Sequence, residues 1–119
     1  MAREDLQKKV DLGFLSAFYG GLLTEKQRRV LSLHCEEDLS FAEIAEEVGI
    51  SRQAVHETLL RASARMAELE NVLGTAARFR RMESGLEQAL DALRAKEYTR
   101  VEQLLESLLR LDQEDQNGL

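Results

Sequence analysis

Gly49 lies between two runs of residues that repeat at helical spacing, and this arrangement restricts the chain more than any other stretch. Before it, Phe41, Ile44, Ala45 and Val48 fall at i, i+3, i+4 and i+7, on one helical face. Ser40 precedes the run with Glu43 three residues on, the spacing of a reciprocal capping box. A helix running into Gly49 can end in a left-handed conformation that glycine adopts without steric cost. Ile50 then plugs the corner, and Ser51 is placed to cap a second helix. In that helix Val55, Leu59, Ala62 and Met66 share one face, while Arg52, Gln53, His56, Glu57 and Leu60 occupy the other. Two short helices, a glycine turn and a polar outward face make a helix-turn-helix unit. Its second helix has the shape of a major-groove reader. Binding DNA is a separate claim, since fold does not dictate function.

The rest of the chain reads as helix too. Proline is absent, aromatics make up 5% of the residues, and no stretch keeps a strand-like alternation. Ala, Leu, Glu, Arg and Gln, all strong helix formers, dominate. The fold class is all-α, with a three- or four-helix core around the helix-turn-helix. No apolar run approaches the roughly 20 residues of a membrane span, so no membrane insertion is expected. The N-terminal MAREDLQKK leads into no signal-peptide core, which makes the cytoplasm the expected compartment. One cysteine and two histidines can form neither an internal disulfide nor a zinc quartet. There is no phosphate-binding glycine loop and no nucleophile elbow. Neither enzymatic activity nor a cofactor or metal is expected.

Along the chain, Leu6, Val10, Phe14 and Phe18, widened by Leu15 and Tyr19, predict a first helix over about Glu4 to Tyr19, stopped by Gly20-Gly21. Thr24 and Gln27 form a second capping box, opening a helix to about Cys35. Val30, Leu31 and His34 face inward there, with Leu23 or Gln27 at the margin. Glu36-Glu37-Asp38 is a polar turn, and Leu39 staples the next helix. Leu69, Val72 and Leu73 continue the stripe of the reading helix to Gly74. Phe79, Met82, Leu86, Leu90 and Leu93 then follow a near-heptad pattern. Lys96-Glu97-Tyr98 interrupts it, and Thr99 restarts a leucine-rich helix. The expected division is a helix-turn-helix domain over 1–74, a helical extension over 75–112 and a polar, frayed tail over 113–119. The leucines of the extension are too many to leave in water: about eight large side chains at roughly 1.5–3 kcal/mol each. They must fold back on the N-terminal helices or pair with a second chain, which makes a homodimer one expectation.

Charge sorts the candidate contacts. The net charge of −6 works against DNA, whose affinity comes largely from neutralised phosphates. Within Ser51–Met66, however, Arg52, Arg61 and Arg65 outnumber Glu57, so the reading helix is locally basic. Arg52 can bond guanine bidentately and Gln53 can bond adenine. Ser51 is first a cap and secondarily a phosphate contact. His56 can meet base, phosphate or protein, and Glu57 and Leu60 share its face. Arg61 and Arg65 suit phosphate clamping or surface ion pairs, and Lys26, Arg28 and Arg29 suit backbone phosphates beside the groove. Cys35 reads as a packing thiol, and its neighbour His34 points about 100° away on a helix, so the two form no dyad.

Residues 18–61 carry a resemblance. Phe18-Tyr19, Leu22-Leu23-Thr24-Glu25-Lys26-Gln27, Glu37-Asp38-Leu39-Ser40, Glu43-Ile44-Ala45-Glu46-Glu47 and Ser51-Arg52-Gln53-Ala54-Val55 resemble the YlxM family, small bacterial proteins with a fold like region four of sigma factors. The resemblance implies a DNA-binding regulator, associated with the signal recognition particle pathway through gene neighbourhood with the targeting GTPases. The signal recognition particle GTPase or its receptor is then a partner alongside DNA. The chain departs from the family at His56, commonly tyrosine, and at Leu60, commonly basic. An apolar Leu60 suits a thymine methyl or a protein surface. The alternative is therefore a protein–protein or ribonucleoprotein accessory factor that grips a targeting GTPase without specific DNA binding.

Overall fold

Reciprocal caps and left-handed glycines set the helix boundaries. The computed structural model describes the backbone of residues 2–117 and the side chains of residues 7–111. Its helices are α1 (Ala2–Tyr19), α2 (Glu25–Cys35), α3 (Phe41–Val48), α4 (Arg52–Leu73), α5 (Thr75–Arg94) and α6 (Tyr98–Asn117), with a 3-10 turn over Gly20–Leu22. Among the described residues there is no strand, and the all-α helix-turn-helix architecture holds. Thr24 Oγ1 accepts from the Gln27 N–H while Gln27 Oε1 accepts from the Thr24 N–H, both at 3.1 Å. Ser40 and Glu43 repeat the exchange at 3.0 and 3.1 Å and open α3. The backbone N–H of Ser40, then its side chain, hold the Glu43 carboxyl below its ordinary pKa. Gly49 ends α3 at φ 79°, ψ 36°, its N–H bonded to the Ala45 carbonyl. A side chain at that φ would be strained.

Up to Ala76 the chain forms one compact unit around a single core. Val30 and Leu31 of α2, Ile44 and Ala45 of α3, and Val55, Leu59, Ala62 and Met66 of α4 are buried together. Leu12, Phe14, Leu15 and Phe18 of α1 pack on them, half-buried. Leu6, expected to head that stripe, lies outside the described side chains. Leu23, expected at the margin, is fully inside, because the 3-10 turn sends Leu22 outward and brings the next residue in. Conversely, Val72 and Leu73 are exposed, because α4 outruns its packing partners and Leu69 is its last half-buried leucine.

Tyr19 closes the far end of this unit. Its hydroxyl, buried 51 residues from its partner, donates to Glu70 Oε1 and accepts from the Thr75 N–H at 3.2 Å. Glu70 Oε1 also accepts from the Ala76 N–H at 3.0 Å. Thr75 and Ala76 supply first-turn N–H groups of α5, which lack carbonyl partners in their own helix. The last turn of α4 and a buried tyrosine therefore cap α5, across a break made possible by Gly74 at φ 63°.

From Ala77 on lies a second unit, the antiparallel hairpin of α5 and α6. Lys96, at φ 61°, turns the chain. α6 starts at Tyr98 rather than at Thr99, because the Glu97 carbonyl already accepts the Val101 N–H. The backbone is helical to Asn117, within the 113–119 stretch read from the sequence as a polar tail. The hairpin closes at small residues. A Cβ on Gly85 would lie 2.5 Å from Leu108 Cδ2, and Ala89 and Ala92 are buried.

Replacing Tyr19 with Phe removes one acceptor and one donor from a buried network, and we expect it to lower unfolding stability by about 1–3 kcal/mol. Urea denaturation measures this, with exposed Tyr98→Phe as the control. Equal midpoints for the two variants would contradict the assignment.

Candidate nucleic-acid interface

The outward face of α4 is fixed by its inward one. With Val55, Leu59, Ala62 and Met66 buried, Arg52, Gln53, His56, Glu57, Leu60, Arg61 and Arg65 must be exposed, and all are. Ser51 accepts from the Ala54 N–H at 3.0 Å, so its hydroxyl is engaged as the cap. Among the described residues no carboxylate pairs with Arg52 or Arg61. Arg65 meets Glu68 at 3.4 Å, but both side chains are more than half exposed, so the pair holds Arg65 only loosely. Lys26, Arg28 and Arg29 stand exposed on α2, which packs along α4. No hydrogen bond or ion pair among the described residues joins them to the α4 set.

The exposed face divides in two. Gln53, Glu57 and Arg61 recur every fourth residue on one side. Arg52, His56, Leu60 and Ser63 recur at four, four and three on the other, and the last three of these border a cleft of about 810 Å³. Leu12 and Leu15 of α1 form its opposite wall, with Lys8 and Lys9 at the rim. At its end three rings follow one another: His56 lies 5.7 Å from Phe41, and Phe41 lies 5.6 Å from His34. Leu60 is 56% exposed, so it is an apolar lip rather than a core residue. The α1 wall and Phe41 escaped the sequence reading. The Lys8-Lys9 pair was a visible signal for it, but nothing in the spacing places that pair opposite α4.

Behind the ring series, His34 Nδ1 is buried and has no hydrogen-bond partner among the described residues. Burial, then the nearby Lys9 charge, push its pKa below 6.5. Lys9 itself pairs with Asp38, and that hydrogen bond holds the Asp38 carboxyl below its ordinary value. Burial pushes the Cys35 thiol up, as suits an uncharged packing residue. Among the described residues no cluster of metal-ligating side chains occurs, and no helix is long and apolar enough to cross a membrane.

The histidine shift carries a pH dependence of definite sign. Above about pH 6.5 both folded and unfolded chains hold His34 neutral. As the pH falls through that value the unfolded chain takes up the proton first, so stability drops until the folded imidazole also protonates. We expect the urea midpoint to fall between about pH 7.5 and 5.5, and to fall less in His34→Phe. An equal fall in both proteins would contradict this.

Comparison with known proteins places the arrangement. Residues 6–111 match the family model described as "Putative helix-turn-helix protein, YlxM / p13 like". A UPF0122 protein of Halalkalibacterium halodurans is 41% identical over 109 residues, 90% of this chain and 99% of the relative. Another from Desulforamulus reducens is 39% identical over 82 residues, 69% of this chain and 70% of its own. A third, from Bacillus mycoides, is 36% identical over 109 residues, again covering 90% and 99%.

Proposed function

This chain belongs to the YlxM/p13-like family of helix-turn-helix proteins, and on that premise we propose that it is a non-enzymatic, DNA-binding regulatory protein of the cytoplasm that reads the major groove with α4. One observation carries the reading: Arg52 and Gln53 occupy the first turn of a capped, core-anchored helix and are exposed. Arg and Gln at the start of such a helix are the side chains that make bidentate contacts to guanine and adenine. Ser51, His56, Glu57 and Leu60 complete the approach surface. Arg61 and Arg65 further along, with Lys26, Arg28 and Arg29 on α2, supply cations for the phosphates on either side.

Selection of bound duplexes from fragmented genomic DNA at about 50 mM salt, followed by anisotropy titration, tests this directly. Arg52→Ala should cost about 1–3 kcal/mol and relax the preference at one base pair. Arg61→Ala should weaken every sequence alike and lower the slope of log affinity against log salt by about one. Folded protein that retains no duplex at that salt would overturn the reading.

A second reading has one observation in its favour. His56 and Leu60 line an apolar cleft with α1, and the chain is acidic overall, both of which suit a protein partner. Here the resemblance supplies the candidate, the signal recognition particle GTPase or its receptor. Leu60→Glu should then abolish co-precipitation of that GTPase, with or without GTP. Failure of the wild-type protein to retain the GTPase would remove this reading.

A further inference from the structure

The α5–α6 hairpin packs its own helices together with small residues and leaves its large ones outside. Gly85, Ala89 and Ala92 of α5 meet α6, whose Leu108 sits on Gly85. Phe79, Leu86, Leu90 and Leu93 are nevertheless 45–51% exposed, and on α6 Leu105 and Leu109 are 44% and 67% exposed. At about 100° per residue, the large residues of α5 lie roughly 100° around the helix from its Gly–Ala stripe. Leu105, Leu109 and Tyr98 lie roughly 85° from the half-buried Val101, Leu104 and Leu108 of α6. Both offsets run in the same rotational sense along the chain. Because the two helices are antiparallel, equal senses turn both stripes to the same side of the hairpin. One continuous apolar face results, built from both helices.

We propose that this face is covered by the same face of a second copy of the chain, so that two hairpins form an antiparallel four-helix bundle. Two arguments select that occupant. The second unit, from Ala77 onward, buries little large apolar surface of its own. Among the described residues, the hydrophobic residues it buries are Ala89 and Ala92. The area also fits. Taking a large apolar side chain as roughly 200 Å², the exposed parts of these five leucines and one phenylalanine come to about 600 Å² per copy. Two copies would cover about 1,200 Å², the lower bound of a standard interface. A two-fold interface of this kind is isologous, each copy offering the same patch. The inference stands independently of DNA binding.

Sedimentation equilibrium on the full chain tests it. At about 50 µM, well above a micromolar dissociation constant, the protein should run at twice its 13.5 kDa. Leu86→Glu/Leu90→Glu should raise the dimer dissociation constant at least about 100-fold with unchanged helical circular dichroism. Leu60→Glu, on the other unit, should leave it unaltered. If the double variant fails to fold, the wild-type chain still decides, since amide exchange in α5 and α6 should slow with concentration across the dissociation range. A monomeric wild type, a double variant that stays dimeric, dissociation by Leu60→Glu, or exchange independent of concentration would each overturn the proposal.

Discussion

Helix α4 can take only one rotation about its axis. Val55, Ala62 and Met66 have no exposed surface and Leu59 almost none, so turning the helix by even one residue would drive Arg61 or Ser63 into the core. At about 1.5–3 kcal/mol for each large side chain withdrawn from water, that alternative is closed. Everything outward depends on this. Arg52 and Gln53 reach solvent at the first turn because the four inward residues leave them nowhere else to go. The Ser51 cap and the left-handed Gly49 fix where α4 begins, and α3 fixes its tilt. A reading face on so short a chain needs rigidity of this order, since its contacts are useful only if they arrive together.

That same rotation gives the outward face two characters. One side is polar throughout. The other runs from Arg52 through His56 and Leu60 along the mouth of a cleft whose far wall is α1. A nucleic acid and a protein would therefore approach α4 from overlapping directions but grip different stripes. The acidic balance of the chain belongs to the same picture. Charge on the α3 surface and the hairpin cannot help a phosphate backbone, whereas the arginines of α4 can, so on the proposed reading affinity for DNA would rest on few cations and its salt dependence would be correspondingly shallow.

Much of this was legible in the sequence, for physical reasons. Capping boxes and left-handed glycines are local, with donor, acceptor and turn within a few residues, so Thr24–Gln27, Ser40–Glu43, Gly49 and Gly74 could be placed from spacing alone. The inward stripe of α4 followed from its period. Long-range pairings could not be read this way. Nothing near Tyr19 announces Glu70 or Thr75, 51 and 56 residues on, and nothing near Lys9 announces Asp38. His56 was rightly exposed by period, yet the period cannot say that Phe41 and the α1 wall flank it. The hairpin shows a signal that was available and unused. Gly85, Ala89 and Ala92 form a small-residue stripe beside the leucines, and small residues mark where helices approach most closely.

The central claim is that a core-locked α4 presents Arg52 and Gln53 to a duplex. Amide chemical-shift titration of the full chain with a duplex recovered from genomic selection measures it residue by residue. The account predicts that the largest shifts fall on Ser51 through Arg61, with weaker ones at Lys26, Arg28 and Arg29, while the amides of Val55 and Leu59 keep their exchange protection. Shifts confined to the α5–α6 hairpin or to the cleft wall at Leu12 and Leu15, or no shifts at all, would contradict it.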